Sequence, residues 1–405
     1  MTEIIVGSLL LITLILLQTI FVVAARAALV PDRSISLRVN GDTTIPARTG
    51  QKLLTALTDN GILIPSACAG AGTCGLCRVQ IPDGPDLLPV EAARFSRSEA
   101  RAGMHLACQV VLRDDMALQI DEALLSAETF ELNVVSTRQL TPLISEVVLQ
   151  MPTGRLPDIH AGSFLQITAP PYSLDYQQID VPPVFEDQWS ALRHLSISTG
   201  SEVTRAYSVA NRPEDTEAGL LVLNIRLALP PPSVPGAPPG VVSSYLFSRR
   251  SGDRISASGP YGSFRVQNTE REMVFIGGGV GMAPLRAMIF EQLSRPDQSR
   301  KITFWYGARS ADDLYYVDEL DALAARYPNF EWTVAISDPQ HTEGWSGRTG
   351  FVHLVVYEDH LRDHPAPESC EYYLCGPPLM TQAVLAMLDD LGVEPDHIFN
   401  DDFGV

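Results

Sequence analysis

The sequence predicts a multidomain chain: an N-terminal transmembrane helix, a small α+β domain, an antiparallel β-barrel and an α/β nucleotide-binding domain. Three observations lead there. Residues 4–25 carry no charged side chain. Three cysteines and three glycines crowd into the ten residues from Cys68 to Cys77. The rhythm after Phe130 changes from short Pro- and Gly-punctuated apolar runs to strand–helix alternation near Glu272. A length of 405 residues suits two to four domains. The formal net charge of −19 argues against a nucleic-acid partner, which would need a basic face.

The first stretch has fifteen Ile, Leu, Val or Phe residues between Ile4 and Ala25. Insertion of such a span is favourable by roughly 5 kcal/mol, before Gln18 and the threonines are counted against it. A cleaved signal peptide fits less well, because the residues before the apolar run include Glu3 and no Lys or Arg. The expected helix covers 4–26. Basic residues begin with Arg26, Arg33, Arg38, Arg48 and Lys52, which places everything after the helix in the cytoplasm. That compartment is reducing and disfavours disulfides.

The next domain is expected over 34–125. Ser34–Val39 and Thr43–Ala47 read as a hairpin around Asn40-Gly41-Asp42, Gln51–Asn60 as a short helix, and Arg78–Ile81 as a strand. Glu91–Arg101 reads as helical, and Val110–Leu112 and Ala117–Ile120 as strands. Cys68, Cys74 and Cys77, followed by Cys108, could hold two irons in a [2Fe–2S] cluster. The glycines between them supply φ > 0 positions and backbone N–H groups. Zinc and a disulfide pair are the competing readings of the same cysteines. Structural zinc sites usually divide their ligands between two short pairs.

Residues 128–267 read as the barrel. Leu132–Val135, Ile144–Leu149, Phe164–Thr168, Leu220–Arg226 and Arg254–Ala257 are its strands. The stretch from Ala169 to Ser201, with four aromatics and no clear period, reads as a long surface insertion. Within the barrel, Arg205-Ala206-Tyr207-Ser208 combines a cation for a phosphate, a ring for stacking and a hydroxyl for a cofactor edge. As an isolated word it also suits a plain strand. Gly240, Ser243 and Ser244 open a short helix whose N–H groups suit a pyrophosphate.

Residues 270–405 read as α/β. The strand Met273–Ile276 runs into Gly277-Gly278-Gly279-Val280-Gly281-Met282-Ala283-Pro284, a phosphate-cradling turn with Pro284 in the first helical turn. Cys375-Gly376-Pro377-Pro378 follows another strand. Cys375 is a candidate site thiol or, equally simply, a buried small apolar residue. Asp312 and Asp313 after Arg309-Ser310 would repel a 2′-phosphate and favour NADH over NADPH, although Arg309 alone would welcome one.

In this order the motifs carry a resemblance. The first soluble domain resembles the plant-type ferredoxin β-grasp, with five rather than four residues between the first two cysteines. The R-x-Y-S word and the G-G-G-x-G-x-x-P turn resemble the ferredoxin–NADP⁺ reductase superfamily. The whole chain, through W-Y-G-A-R-S, E-Y-Y-x-C-G-P-P and the terminal D-D-F-G, is similar to the F subunits of Na⁺-translocating NADH:quinone oxidoreductases. It departs in ending on Val405. The resemblance implies a [2Fe–2S] cluster, FAD and NADH as cofactors, and membrane-integral subunits of one complex as partners. It implies a single-pass protein of the bacterial inner membrane. Ser208, Ser243, Cys375 and Phe403 are the implied catalytic residues, with Phe403 covering the flavin. A reductase feeding an oxygenase, and a redox sensor without turnover, are the alternative functions.

Overall fold

The computed structural model describes residues 10–21, 33–66, 68, 70–125, 127–151, 159–232, 234, 236–338 and 344–401. Residues 10–21 form a helix (α1) whose side chains are all exposed. Among the described residues no helix is long and apolar enough to cross a membrane. The remainder of the expected 4–26 span lies outside them.

Two compact units follow from the contacts: Met1–Ile64 with Gly70–Leu125, and Pro65–Ala69 with Ser126–Val405. In the first, β1 (Ser34–Val39) and β2 (Thr43–Arg48) form the expected hairpin. Asn40 (φ 52°) and Gly41 (φ 82°) make its left-handed turn, the usual chemistry of an Asn-Gly hairpin. Helix α2 (Leu53–Asp59) buries Leu53, Ala56 and Leu57. Strand β3 (Arg78–Gln80) pairs antiparallel with β4 (Met104–Leu106), and β5 (Met116–Leu118) runs parallel to β1.

The single helix expected over Glu91–Arg101 is two: α3 (Pro89–Ala92) and α4 (Arg97–Arg101). Ser96 accepts from the Glu99 N–H and Glu99 returns to the Ser96 N–H, so this capping box starts a new helix inside the expected one. Val110–Leu112 is no strand. Val111 makes one isolated bridge to Lys52. Helix α5 (Glu122–Leu125) ends the unit.

The second unit begins with β6 (Glu128–Thr141), β7 (Ile144–Gln150) and β8 (Phe164–Ala169). Strands β9 (Tyr172–Asp175) and β10 (Ser196–Thr199) pair as a hairpin around α6 (Glu186–Ser190). This is the segment read as a long surface insertion without a clear period, and it carries secondary structure and a small core of its own. Tyr176 and Trp189 are fully buried with Leu174, Ile179 and Ile197 in a satellite core, and the Trp189 indole donates to Pro142 O at 2.7 Å. Strand β11 (Val203–Ser208), α7 (Pro213–Glu217), β12 (Leu220–Arg226), α8 (Val241–Phe247) and β13 (Arg254–Tyr261) complete the β-rich part.

The sheet order is β11-β8-β13-β6-β7-β12, antiparallel throughout. Its edges meet at the Val209–Leu223 bridge and the Ala210 N–H to Val222 O bond of 2.8 Å. Closure of the expected barrel is therefore partial. Alternation along β13 sends Ile255 and Ala257 inward against Leu132, Leu165, Ile167 and Leu223.

The α/β part is a parallel sheet, β17-β16-β15-β14-β18-β19. Its members are β14 (Met273–Gly278), β15 (Ile302–Ala308), β16 (Phe330–Ile336), β17 (Arg348–Thr349), β18 (Glu371–Cys375) and β19 (Ile398–Asp401). Every residue of β14 and β18 is buried, as parallel strands covered on both faces require. The covering helices are α9 (Met282–Ser294), α10 (Val317–Arg326), α11 (Val352–Val356) and α12 (Pro378–Asp390).

Candidate functional site

The thiol cluster is built by β3 and β4. The Ala107 N–H donates to Cys77 O at 2.8 Å, just beyond the β3–β4 pairing, and this draws Cys77 and Cys108 together. Their thiols are hydrogen-bonded, with Cys74 close enough to act on Cys77 electrostatically. The Cys108 thiol is pulled down to about 6, first by the Cys77 hydrogen bond and then by donors from Gln109 and the Gly72 N–H, against the cost of burial. Cys77 moves the opposite way, because the same bond and its burial keep its proton in place.

The Gln109 amide donates to Cys108 Sγ at 3.2 Å and to Gly70 O at 2.8 Å, tying the glycine loop to the thiol. Gly70, Gly72 and Gly75 all have positive φ. A Cβ on Gly72 would stand 2.9 Å from the Gln109 side chain. The arrangement aims N–H donors at sulfur, which is what a thiolate-ligated cluster needs. None of the six cysteines forms a disulfide. Cys68 lies on the 65–69 segment, which belongs to the second unit.

Sequence reasoning missed Glu91. It is 2% exposed, and its carboxylate accepts from the Leu106 N–H at 2.9 Å and the Leu88 N–H at 3.0 Å while lying 3.3 Å from His105 Nδ1. It pins β4, the strand that delivers Cys108. Nothing in its one-dimensional context marks it out from the other surface-pattern glutamates.

The second site is the crevice between β14 and β18. Strand order reverses at β14, whose neighbours β15 and β18 lie on opposite sides, and ligands of open α/β sheets sit outside the carboxyl ends at such a point. Gly277 pairs in register with Cys375, which pairs in turn with Asp401. The glycine turn needs its glycines for different reasons. At Gly279 φ is +55° and a Cβ would meet nothing, leaving the backbone open to the crevice. At Gly281 a Cβ would lie 1.9 Å from Cys375 O. Tyr306 and Tyr315 both donate to Gly279 O, at 3.0 and 2.9 Å. Burial pushes both phenols above their ordinary range, so they remain donors. Pro284 and Cys375 are buried.

Across from this crevice stands β11, an edge strand of its sheet. Ser208 donates to Asp401 Oδ2 at 3.0 Å, so two expected residues, Ser208 and Cys375, are linked through a third. The Arg205 guanidinium donates to Thr204 O at 2.8 Å and is otherwise exposed. Burial raises the Tyr207 phenol well above its ordinary range. Asn211 clamps the same word to β12, accepting from the Val222 N–H and donating to Leu220 O, both at 2.7 Å.

Ser243 and Ser244 are committed elsewhere. Ser243 Oγ donates to Gly240 O at 3.1 Å and accepts from the Ala228 N–H at 3.2 Å; Ser244 Oγ donates to Gly240 O at 2.7 Å and bonds Tyr176 OH. Their hydroxyls brace the start of α8. Phe403 lies outside the described residues.

Arg286, also missed, couples the two halves of this unit. It is 3% exposed, forms a two-pronged pair with Glu319 at 2.5 and 2.7 Å, and donates to Ala210 O. It thus joins the helix after the glycine turn to the segment just past β11, the strand carrying Tyr207. A cavity of about 630 Å³ beside it is lined by Arg138, Glu146, Arg212 and Tyr316 and contains none of the expected site residues.

A three-thiol loop, a flavin-type strand word and a glycine turn at a switch point define an oxidoreductase of ferredoxin-reductase architecture. Three family models match: a 2Fe-2S iron-sulfur cluster binding domain over 37–113, an oxidoreductase FAD-binding domain over 190–266 and an oxidoreductase NAD-binding domain over 275–385. Two solved structures share the layout. One is the cytochrome P450 reductase GcoB of Amycolatopsis, 26% identical with TM-score 0.64 over 91% of this chain and 98% of that one. The other is the ferredoxin reductase of carbazole 1,9a-dioxygenase, 25% identical with TM-score 0.57 over 92% and 99%.

Curated relatives bear the name of the F subunit of the Na(+)-translocating NADH-quinone reductase. That of Neisseria meningitidis serogroup C is 46% identical, over 99% of this chain and all of the relative. The Klebsiella pneumoniae relative is 45% identical over 99% and 100%, and that of Methylococcus capsulatus 43% over the full length of both. The chain belongs to this family of F subunits.

Proposed function

We propose that this chain is the electron-input subunit of a membrane NADH:quinone oxidoreductase, of the Na⁺-translocating kind named in its relatives. What carries the proposal is full-length similarity to those proteins. The crevice, with Gly277 facing Cys375, supports it. When bound, the flavin would accept the hydride of NADH and the [2Fe–2S] cluster would pass single electrons onward. Cys68, Cys74, Cys77 and Cys108 are the proposed cluster ligands, with Gln109 and the loop N–H groups steadying thiolate charge. Arg205 would pair a flavin phosphate, Tyr207 would stack on the ring and Ser208 would hold its edge.

Gly277, Gly278, Gly279 and Gly281 leave room for the dinucleotide phosphates, and Cys375, Gly376 and Pro377 would border the nicotinamide. The proposed domains are 4–26 for the membrane helix, 34–125 for the cluster domain, 128–267 for the flavin domain and 270–405 for the NADH domain. The helix would anchor a single-pass protein in the bacterial inner membrane, its soluble domains in the cytoplasm beside membrane-integral partner subunits.

Deleting residues 1–30 tests the anchor. The shortened protein is expected to remain soluble, to oxidise NADH with ferricyanide and to reduce its own cluster, yet to lose quinone reduction in partner-containing membranes. Undiminished membrane quinone reduction would instead favour a reductase feeding an oxygenase; two similar structures are named a cytochrome P450 reductase and a ferredoxin reductase in carbazole 1,9a-dioxygenase. Arg205→Ala is expected to weaken flavin retention on the order of 10–100-fold, the range of one hydrogen bond to a charged group. Flavin content after gel filtration measures it, and a variant that kept its full flavin complement would remove Arg205 from the phosphate site.

A further inference from the structure

At the amino ends of the parallel strands, opposite the ends that form the crevice, lies a cluster the redox chemistry does not use. Glu272 immediately precedes β14. His360 sits in the single π-helical turn Tyr357–Leu361 that continues α11, and His364 follows four residues later. One donor atom from each of the three lies within 4.8 Å of the others. His360 Nε2 is 2.9 Å from Glu272 Oε1, and His364 Nε2 is 3.2 Å from Glu272 Oε2. The side chains are only 11–16% exposed. Although close, His360 Nε2 and Glu272 Oε1 are buried without hydrogen-bond geometry. Two imidazole nitrogens therefore converge on one carboxylate.

We propose that Glu272, His360 and His364 bind a transition-metal dication of the Zn²⁺ class. In a tetrahedral site with metal bonds of about 2.0–2.2 Å, neighbouring N and O ligand atoms stand about 3.3–3.5 Å apart; here the three candidate atoms lie within 4.8 Å of one another with each imidazole against a different carboxylate oxygen, so the carboxylate must turn as the ligands draw in. Two nitrogens and a carboxylate oxygen suit zinc better than calcium or magnesium. Cys370, which immediately precedes β18, has its Sγ 3.8 Å from His364 Nε2. A zinc-bound S and N are about 3.6 Å apart, and Cys370 is the nearest candidate for the fourth position. One cation opposes the site: Lys301 Nζ is 3.2 Å from Glu272 Oε1. Its side chain is nearly half exposed and free to turn outward when a metal arrives. Lying at the far ends of β14 and β18, the metal would staple the end of α11 to the sheet and take no part in hydride transfer.

The test is equilibrium dialysis of the purified, cluster-replete full chain against Zn²⁺, with zinc and iron counted by mass spectrometry and thermal unfolding followed in parallel. The wild type is expected to take up one zinc beyond its iron and to unfold at a higher temperature with it. His360→Ala and Glu272→Gln should weaken that uptake about 10-fold or more. Lys301→Met should tighten it, whereas in a plain ion cluster losing this lysine would only destabilise. NADH–ferricyanide activity checks that each variant is folded. Zinc uptake unchanged in His360→Ala, as would occur if zinc sat on the cluster cysteines, overturns the proposal. So does a wild type that takes up none.

Discussion

Cys108→Ala is expected to abolish the visible absorption of the cluster and the paramagnetic signal of its reduced state, while the flavin stays bound. The four proposed ligands leave no spare. Losing one thiolate opens an iron to water, and the two cysteines outside the proposed set have places of their own: Cys370 immediately precedes β18 and Cys375 ends it. The substitution also strands neighbours. Gln109 loses the sulfur it donates to at 3.2 Å, and Cys77 loses its hydrogen-bonding partner. NADH oxidation with ferricyanide should survive, since the flavin and NADH sites lie in the second unit, but quinone reduction in membranes should not. Cys370→Ala is the control and should leave the cluster untouched. A normal two-iron signal without Cys108 would exclude it as a ligand and return the site to one of the other readings of these cysteines.

The parts of this chain legible in its sequence are those where chemistry is local. The Asn40-Gly41 turn declares a hairpin because left-handed backbone there needs those residues. The cysteine loop and the glycine turn likewise bring their requirements within a dozen residues. What stayed hidden depends on long-range partners. The helix expected across Glu91–Arg101 ignored Ser96 and Glu99, whose reciprocal cap was readable but outweighed by apparent periodicity. The 169–201 segment lacked a period because its Tyr176 and Trp189 fill a private core with Leu227, just past the end of β12. Ser243 looked like a cofactor ligand from its place before a helix, yet its hydroxyl closes the loop onto Ala228. Glu91, Arg286 and the Glu272–His360–His364 group have partners up to 92 residues away, and no spacing rule reaches that far.

Gly281→Ala is expected to cut NADH oxidation about 10²-fold, the penalty typical of a displacement near 1 Å in a site that works by positioning. The reason is not conformational freedom. Gly281 has φ −60° and ψ −14°, which any residue adopts. What the position forbids is a Cβ, which would stand 1.9 Å from Cys375 O and 2.4 Å from Cys375 C. Both are backbone atoms of a fully buried strand, so neither has a flexible side chain to swing aside. Relief requires α9 to back away from β18, widening the crevice where Gly277 and Cys375 face each other. Arg286, on the same helix, would carry that shift to Ala210 and the strand of Tyr207. The loss should therefore fall on kcat for NADH as well as on KM, with cluster signal and flavin content retained. Gly279→Ala provides the contrast: its Cβ meets no protein atom, and its φ of +55° costs about 1–2 kcal/mol of stability. Steady-state kinetics with NADH and ferricyanide distinguish the two. If Gly281→Ala turned over at the wild-type rate, close contact between the glycine turn and the Cys375 strand would not be what positions the nicotinamide.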